Sequence, residues 1–139
     1  MRKVVIGAGR AAPEGICVSA ERLIAIVEDD DSLRAALVGL VRSLGYRASN
    51  FPSAEDFLAA GAAGDADCVI SDIQMPGMSG IDLKHRLTAD GCTVPVILVT
   101  ARTEQALHDK ARASGAICLL RKPFTAEMLI ECLGRALPA

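Results

Sequence analysis

Apolar runs of strand length alternate along this chain with segments whose apolar residues recur at helical spacing, and few folds accept that alternation. Leu23-Ile24-Ala25-Ile26-Val27 is followed by Leu33, Leu37, Leu40, Val41 and Leu44, which share one helical face. Gly45 stands where a left-handed cap would stop that helix. Tyr46 to Phe51 is a weaker strand, and Ser53 with Asp56 makes a capping-box pattern before a short helix through Phe57 and Leu58. Gly61 to Gly64 reads as a flexible turn into a third run at 67–71. A turn-rich loop, Met75-Pro76-Gly77-Met78-Ser79-Gly80, then leads to a helix over Ile81 to Ala89. The fourth run, 94–99, precedes a helix from Thr103 to Ser114, stopped by Gly115. The fifth, 117–121, precedes a helix capped by Thr125, with Met128, Leu129, Cys132 and Leu133 on one face. Five such units predict an α/β domain in which a parallel sheet is covered by helices on both faces. The runs at 67–71 and 94–99 suit central strands, and the poorer 46–51 suits an edge.

The length of 139 residues fits one domain able to bury a core, and with 3% aromatics that core must be Val, Ile, Leu and Ala. A net charge of −2 gives no reason to expect direct nucleic-acid binding. No apolar run reaches the roughly 20 residues of a membrane span. Cys17, Cys68, Cys92, Cys118 and Cys132 are odd in number and contain no CxxC pair. Cys68 and Cys118 fall inside strand candidates, where thiols act as small hydrophobes, so the expectation is a reduced, cytoplasmic protein without structural zinc. Residues 1–22 read as a loosely ordered extension or a start assigned too early, ahead of a domain over 23–137. Met1-Arg2-Lys3 with Val4-Val5-Ile6 is broken too soon by Gly7, Gly9 and Arg10 for a signal peptide. Gly7-Ala8-Gly9 has Ala12 at the third glycine position, and no βαβ unit with a suitably placed acid follows it.

Four of the apolar runs end in reactive side chains: Glu28-Asp29-Asp30, Asp72, Thr100, and Lys122-Pro123. In an open parallel sheet the carboxyl ends of the strands open on one crevice, so these groups would meet. The expected role of Asp30 or Asp31 is the plain one of complementing a helix dipole. The Glu28-Asp29 pair would gain from a cation, and Mg²⁺ suits few carboxylates beside a phosphate, with Mn²⁺ as a substitute. Asp72 can act as a nucleophile on phosphorus, and the loop after it lets a carbonyl near Gln74 face the site. Thr100 can donate to a phosphate oxygen, and Lys122 can pair with the added charge. A flavin carrier fails on charge, because Glu28-Asp29-Asp30 would repel the flavin phosphate. An aspartate-nucleophile phosphohydrolase needs a second acid two residues after the first, where this chain has Gln74.

Val27-Glu28-Asp29-Asp30, Asp72-Ile73-Gln74-Met75-Pro76-Gly77-Met78-Ser79-Gly80, Thr100-Ala101 and Lys122-Pro123-Phe124 together resemble the receiver domain of two-component response regulators, over roughly residues 22–137. In flavour it looks like the receivers of nitrogen-fixation-type transcription regulators. The resemblance implies a flavodoxin-like, doubly wound, five-stranded parallel sheet of order 2-1-3-4-5. It implies that Asp72 takes a phosphoryl group from a sensor histidine kinase or a histidine phosphotransfer protein. Mg²⁺ would be held by Asp29 and Asp72, by Glu28 through water, and by the Gln74 backbone carbonyl. Thr100 and Lys122 would contact the phosphoryl group, and the Lys122-Pro123 bond would be cis. Phosphotransfer and autodephosphorylation would be self-catalysed, so the chain would not be an enzyme acting on a separate substrate.

The phosphate would bias the fourth helix, fifth strand and fifth helix, a surface that could also carry a homodimer. No helix-turn-helix follows Leu137, so the expectation is a single-domain regulator or the receiver part of a truncated DNA-binding one. A non-phosphorylated binding module is the remaining alternative. Two departures stand out: Glu28 where the family more often has Asp, and Leu119 where it usually carries the Tyr or Phe of a switch with Thr100. Output would then rely on the loop and helix after Thr100. Unchanged phosphorylation-dependent binding in Leu119→Ala would remove that side chain from the switch.

Overall fold

The computed structural model describes residues 22–137. The expectations for the extension, its glycine loop and Cys17 therefore lie outside the described residues, apart from Arg22. Strands and helices alternate: β1 Leu23–Val27, α1 Asp31–Ser43, β2 Arg47–Phe51, α2 Ala54–Ala59, β3 Cys68–Asp72, α3 Gly80–Ala89, β4 Val96–Thr100, α4 Gln105–Ala113, β5 Cys118–Arg121 and α5 Ala126–Ala136. The strands form one parallel sheet in the order β2-β1-β3-β4-β5, the flavodoxin-like arrangement. Register aligns their carboxyl ends, with Val27 opposite Ser71, Asp72 opposite Val99, and Thr100 opposite Arg121.

The apolar periodicity of the sequence becomes two layers. On one face Ile24, Ile26, Ile70 and Ile97 pack against Leu37 and Val41 of α1 and Leu129 and Leu133 of α5. On the other, Val27, Val69 and Leu98 pack against Phe57 of α2, Leu83 and Leu87 of α3, and Ala111 of α4. Each fully buried side chain of this size contributes roughly 1.5–3 kcal/mol. Every residue of β3 and β4 is buried, whereas β2 at the edge is only partly covered.

Local signals account for the helix ends. Asp30 caps α1, its side chain accepting from Leu33 N at 2.9 Å, and Gly45 follows with φ +98°. Ser53 caps α2 through Asp56 N, and a reciprocal capping box links Ser79 and Asp82 at α3. The expected turn before β3 takes the form of a 3₁₀ turn over Ala62–Gly64. Several expectations need correction. The fourth helix begins at Gln105, not Thr103. On α5 the buried stripe is Leu129, Cys132, Leu133 and Ala136, at i, i+3, i+4 and i+7, and this rotation leaves Met128 42% exposed. The expected set of reduced thiols is also wrong, because Cys118 of β5 and Cys132 of α5 form a disulfide. Their Cα atoms lie 5.9 Å apart, inside the range a bridge requires.

Candidate functional site

The site begins where β1 stops. Glu28 N donates to Phe51 O at 3.1 Å, which fixes the backbone as it leaves the sheet. The Glu28 side chain turns inward and is 2% exposed, while Asp29 faces solvent. One Glu28 oxygen accepts from Asp30 N at 3.2 Å, and the other from Lys122 Nζ at 3.2 Å. Lys122 Nζ also lies 3.5 Å from Asp72 Oδ1 at the end of β3. Carboxylate oxygens of Glu28, Asp29 and Asp72 all fall within 4.8 Å of one another.

Three acids facing one ammonium leave the cluster short of positive charge. Burial pushes the Glu28 carboxyl above its ordinary value of 4.5, and the Asp72 charge adds to that; the Asp30 amide and Lys122 oppose it. Burial likewise raises Asp72 above 3.8, against the pull of Lys122 and with a further push from Asp29. A divalent cation would relieve both groups, and an all-oxygen donor set suits a hard ion such as Mg²⁺. The residues present therefore fit a metal.

The loop after Asp72 is held by contacts that only part of its sequence announces. Gly80 N donates to Ile73 O at 3.0 Å, bringing α3 so close that a Cβ on Gly80 would strike the Asp72 carbonyl. Gly77 has φ +78°, and a Cβ there would meet the Glu55 carboxylate. That carboxylate, on α2, accepts from Met78 N at 2.8 Å. Glu55 thus ties the loop to a helix formed 23 residues earlier. No local pattern marks it.

Thr100 is fully buried at the end of β4. Its hydroxyl donates to Gln74 Oε1 at 2.8 Å and accepts from Arg102 N at 3.0 Å. The sequence points to the backbone carbonyl of Gln74, and the structure also engages the Gln74 side chain with Thr100. Lys122 N donates to Thr100 O at 2.8 Å, and the following Lys122-Pro123 peptide is cis. Arg34 was also missed. It donates to Glu28 O at 2.8 Å, Asn50 Oδ1 at 3.2 Å and Asp31 Oδ1 at 2.6 Å, bracing the loop after β1.

Leu119 lies apart from this cluster, half-buried in the layer that contains α2, α3 and α4. Beside Lys122, an apolar groove of about 550 Å³ runs between α1 (Leu33, Leu37, Leu40) and Pro123-Phe124.

A family model described as the response regulator receiver domain matches residues 24–134. The response regulator protein TmoT of Ectopseudomonas mendocina is 38% identical over 117 residues, covering 84% of this chain and 53% of that protein. The transcriptional regulatory protein FixJ of Azorhizobium caulinodans is 35% identical over 112 residues, covering 81% of this chain and 53% of that one. The chain thus spans about half the length of these relatives. Among solved structures, a response regulator receiver protein from Burkholderia phymatum is 38% identical with a TM-score of 0.74, covering 84% of this chain and 95% of its own. The chemotaxis protein CheY4 of Vibrio cholerae is 26% identical with a TM-score of 0.76, covering 84% and 98%.

Proposed function

Because the chain belongs to the response regulator receiver domain family, we propose that Asp72 accepts a phosphoryl group from a phosphohistidine on a sensor kinase or a histidine phosphotransfer protein. One observation carries this reading: a buried carboxylate at a strand end, 3.5 Å from an ammonium and within 4.8 Å of two further carboxylates. An Asp72 oxygen attacks phosphorus, the phosphorus–nitrogen bond to the donor breaks, and the imidazole leaves with that electron pair. Lys122 stays beside the acceptor and offsets the charge that the phosphoryl group adds. The Thr100 hydroxyl, now turned to Gln74, is the donor available to a new phosphate oxygen.

Mg²⁺, or Mn²⁺ in its place, would be held by Asp29, Asp72 and the Gln74 carbonyl, and by Glu28 through water, and would supply charge neutralisation at the acceptor. Hydrolysis of the aspartyl phosphate uses the same residues, so the chain acts on itself and not on a separate substrate. The groove beside Lys122 offers a partner an apolar seat next to the acceptor.

Movement of Thr100 biases the loop and helix that follow it, and with them the face made by α4, β5 and α5. A homodimer can use that face. We place this chemistry in the cytoplasm; among the described residues no helix is long and apolar enough to cross a membrane. A second reading extends the first: this is the receiver part of a longer DNA-binding regulator. It is favoured by the relative named as a transcriptional regulatory protein, of which the match covers 53%. The DNA contacts would then belong to the other part.

Intact mass after incubation with acetyl phosphate and Mg²⁺ tests the proposal. Wild type is expected to gain one phosphoryl group, while Asp72→Asn and an EDTA-treated sample gain none. No adduct on wild type, or an equal adduct on Asp72→Asn, would overturn it.

A further inference from the structure

The disulfide between Cys118 and Cys132 has no part in phosphoryl chemistry. It lies on the layer shared by α1 and α5, while Leu119 points to the opposite layer. A groove of about 420 Å³ opens beside it along the outer strand, lined by Ile117, Leu119, Met128 and Glu131 among others. Cys118 is partly exposed, and Cys132 is 5% exposed. Arg135 Nη1 donates to Cys118 Sγ at 3.4 Å, placing a positive charge beside the sulfur of the more exposed cysteine. Such a charge favours the anionic, nucleophilic form of a thiol. The other described cysteines lack this arrangement: Cys68 is buried with its thiol pushed up to about 12, and Cys92 is a free, half-buried thiol.

We propose that Cys118 and Cys132 form a reversible redox couple that staples α5 to β5 when oxidised by a low-molecular-weight disulfide. In the reduced chain the Cys118 thiolate attacks one sulfur of that disulfide, and a small thiolate leaves. Cys132, having lost its proton, attacks the Cys118 sulfur of the mixed disulfide and expels the second small thiolate. Two electrons pass from the protein to the small disulfide, and the two protons end on the released thiols. The partly exposed Cys118 is the entry point, and the buried Cys132 resolves the intermediate.

The bridge spans 14 residues of sequence and adds a covalent tie where α5 otherwise holds the sheet by apolar packing and the Arg135 contact. Oxidation therefore restrains the relative motion of β5 and α5 without touching Asp72. The couple is independent of the phosphoacceptor reading.

The test uses the full chain equilibrated in glutathione buffers of varied oxidised-to-reduced ratio, alkylated, digested and analysed by mass. A peptide pair joined through Cys118 and Cys132 is expected to rise and fall reversibly with the ratio. Amide exchange across 118–136 should be slower in the oxidised form. Arg135→Gln should slow bridge formation roughly tenfold, the size expected when an adjacent cation no longer favours the thiolate. Asp72→Asn should oxidise like wild type, which separates this proposal from the phosphoryl chemistry. Independent alkylation of both cysteines at every ratio would overturn the proposal, and so would a bridge that leaves exchange in 118–136 unchanged. An Arg135→Gln rate equal to wild type would overturn the role given to Arg135 and to Cys118 as entry point.

Discussion

Lys122 shares its ammonium between Glu28 at 3.2 Å and Asp72 at 3.5 Å, with its side chain only 22% exposed. A bound cation would neutralise the same two carboxylates. Lys122→Met should therefore lose about 3 kcal/mol of metal-free stability, since removing one partner strands buried charge. It should regain more than wild type does on adding Mg²⁺, yet accept phosphate far more slowly; urea titration and labelling rates check the two halves. The acids also set a pH dependence. Glu28 and Asp72 have folded values raised above 4.5 and 3.8, so their contribution to stability is full below those values and is lost as pH rises through the raised ones. Without metal, wild type should lose stability relative to Asp72→Asn as pH climbs from 4 towards 7, and Mg²⁺ should close the gap. Urea midpoints across that range, with and without Mg²⁺, measure it. The identities of Glu28, Asp29, Asp72, Thr100 and Lys122 were legible because each terminates an apolar run. The Gln74–Thr100 hydrogen bond was not, because it depends on which way a loop side chain turns across 26 residues of sequence.

At the scale of elements, helix ends were the readable part, since caps and left-handed glycines act within one turn. Gly45 and Thr125 stand where such signals are expected, while the Asp30 cap emerges only in the structure. Pieces that depend on distant packing stayed hidden. Glu55 reaches the loop after β3 from another helix, and Met128 turns outward because the sheet selects a neighbouring stripe of α5. The disulfide belongs to the same class: two cysteines on separate elements show no pairing until strand and helix meet. The close approach of α3 to β3 gives an element-scale prediction. Gly80→Ala should cost about 1–3 kcal/mol and displace Asp72, because the added methyl meets a backbone carbonyl. Ser79→Ala next to it should cost about 1 kcal/mol through the lost cap alone. Urea unfolding gives both costs. Acetyl phosphate labelling should fall in the first variant and hold in the second.

For the molecule as a whole, the order β2-β1-β3-β4-β5 is what gathers acids, hydroxyl and ammonium from separate stretches of chain. Short strands with near-continuous apolar character made the parallel sheet legible, and the ordered motifs at their ends made its family legible. A cation that binds only the folded site should stabilise the whole domain, by about 2.7 kcal/mol at a hundredfold excess over its Kd. Asp29→Asn should weaken that gain, which thermal unfolding against Mg²⁺ concentration would show. The central claim is that the phosphoryl group resides on Asp72. Borohydride reduction of the acetyl phosphate-treated chain, followed by peptide mapping, tests it most directly, because reduction converts an aspartyl phosphate to homoserine. The account predicts homoserine at position 72 and nowhere else. Homoserine at another aspartate, or none in a sample that carries the phosphoryl mass, would contradict it.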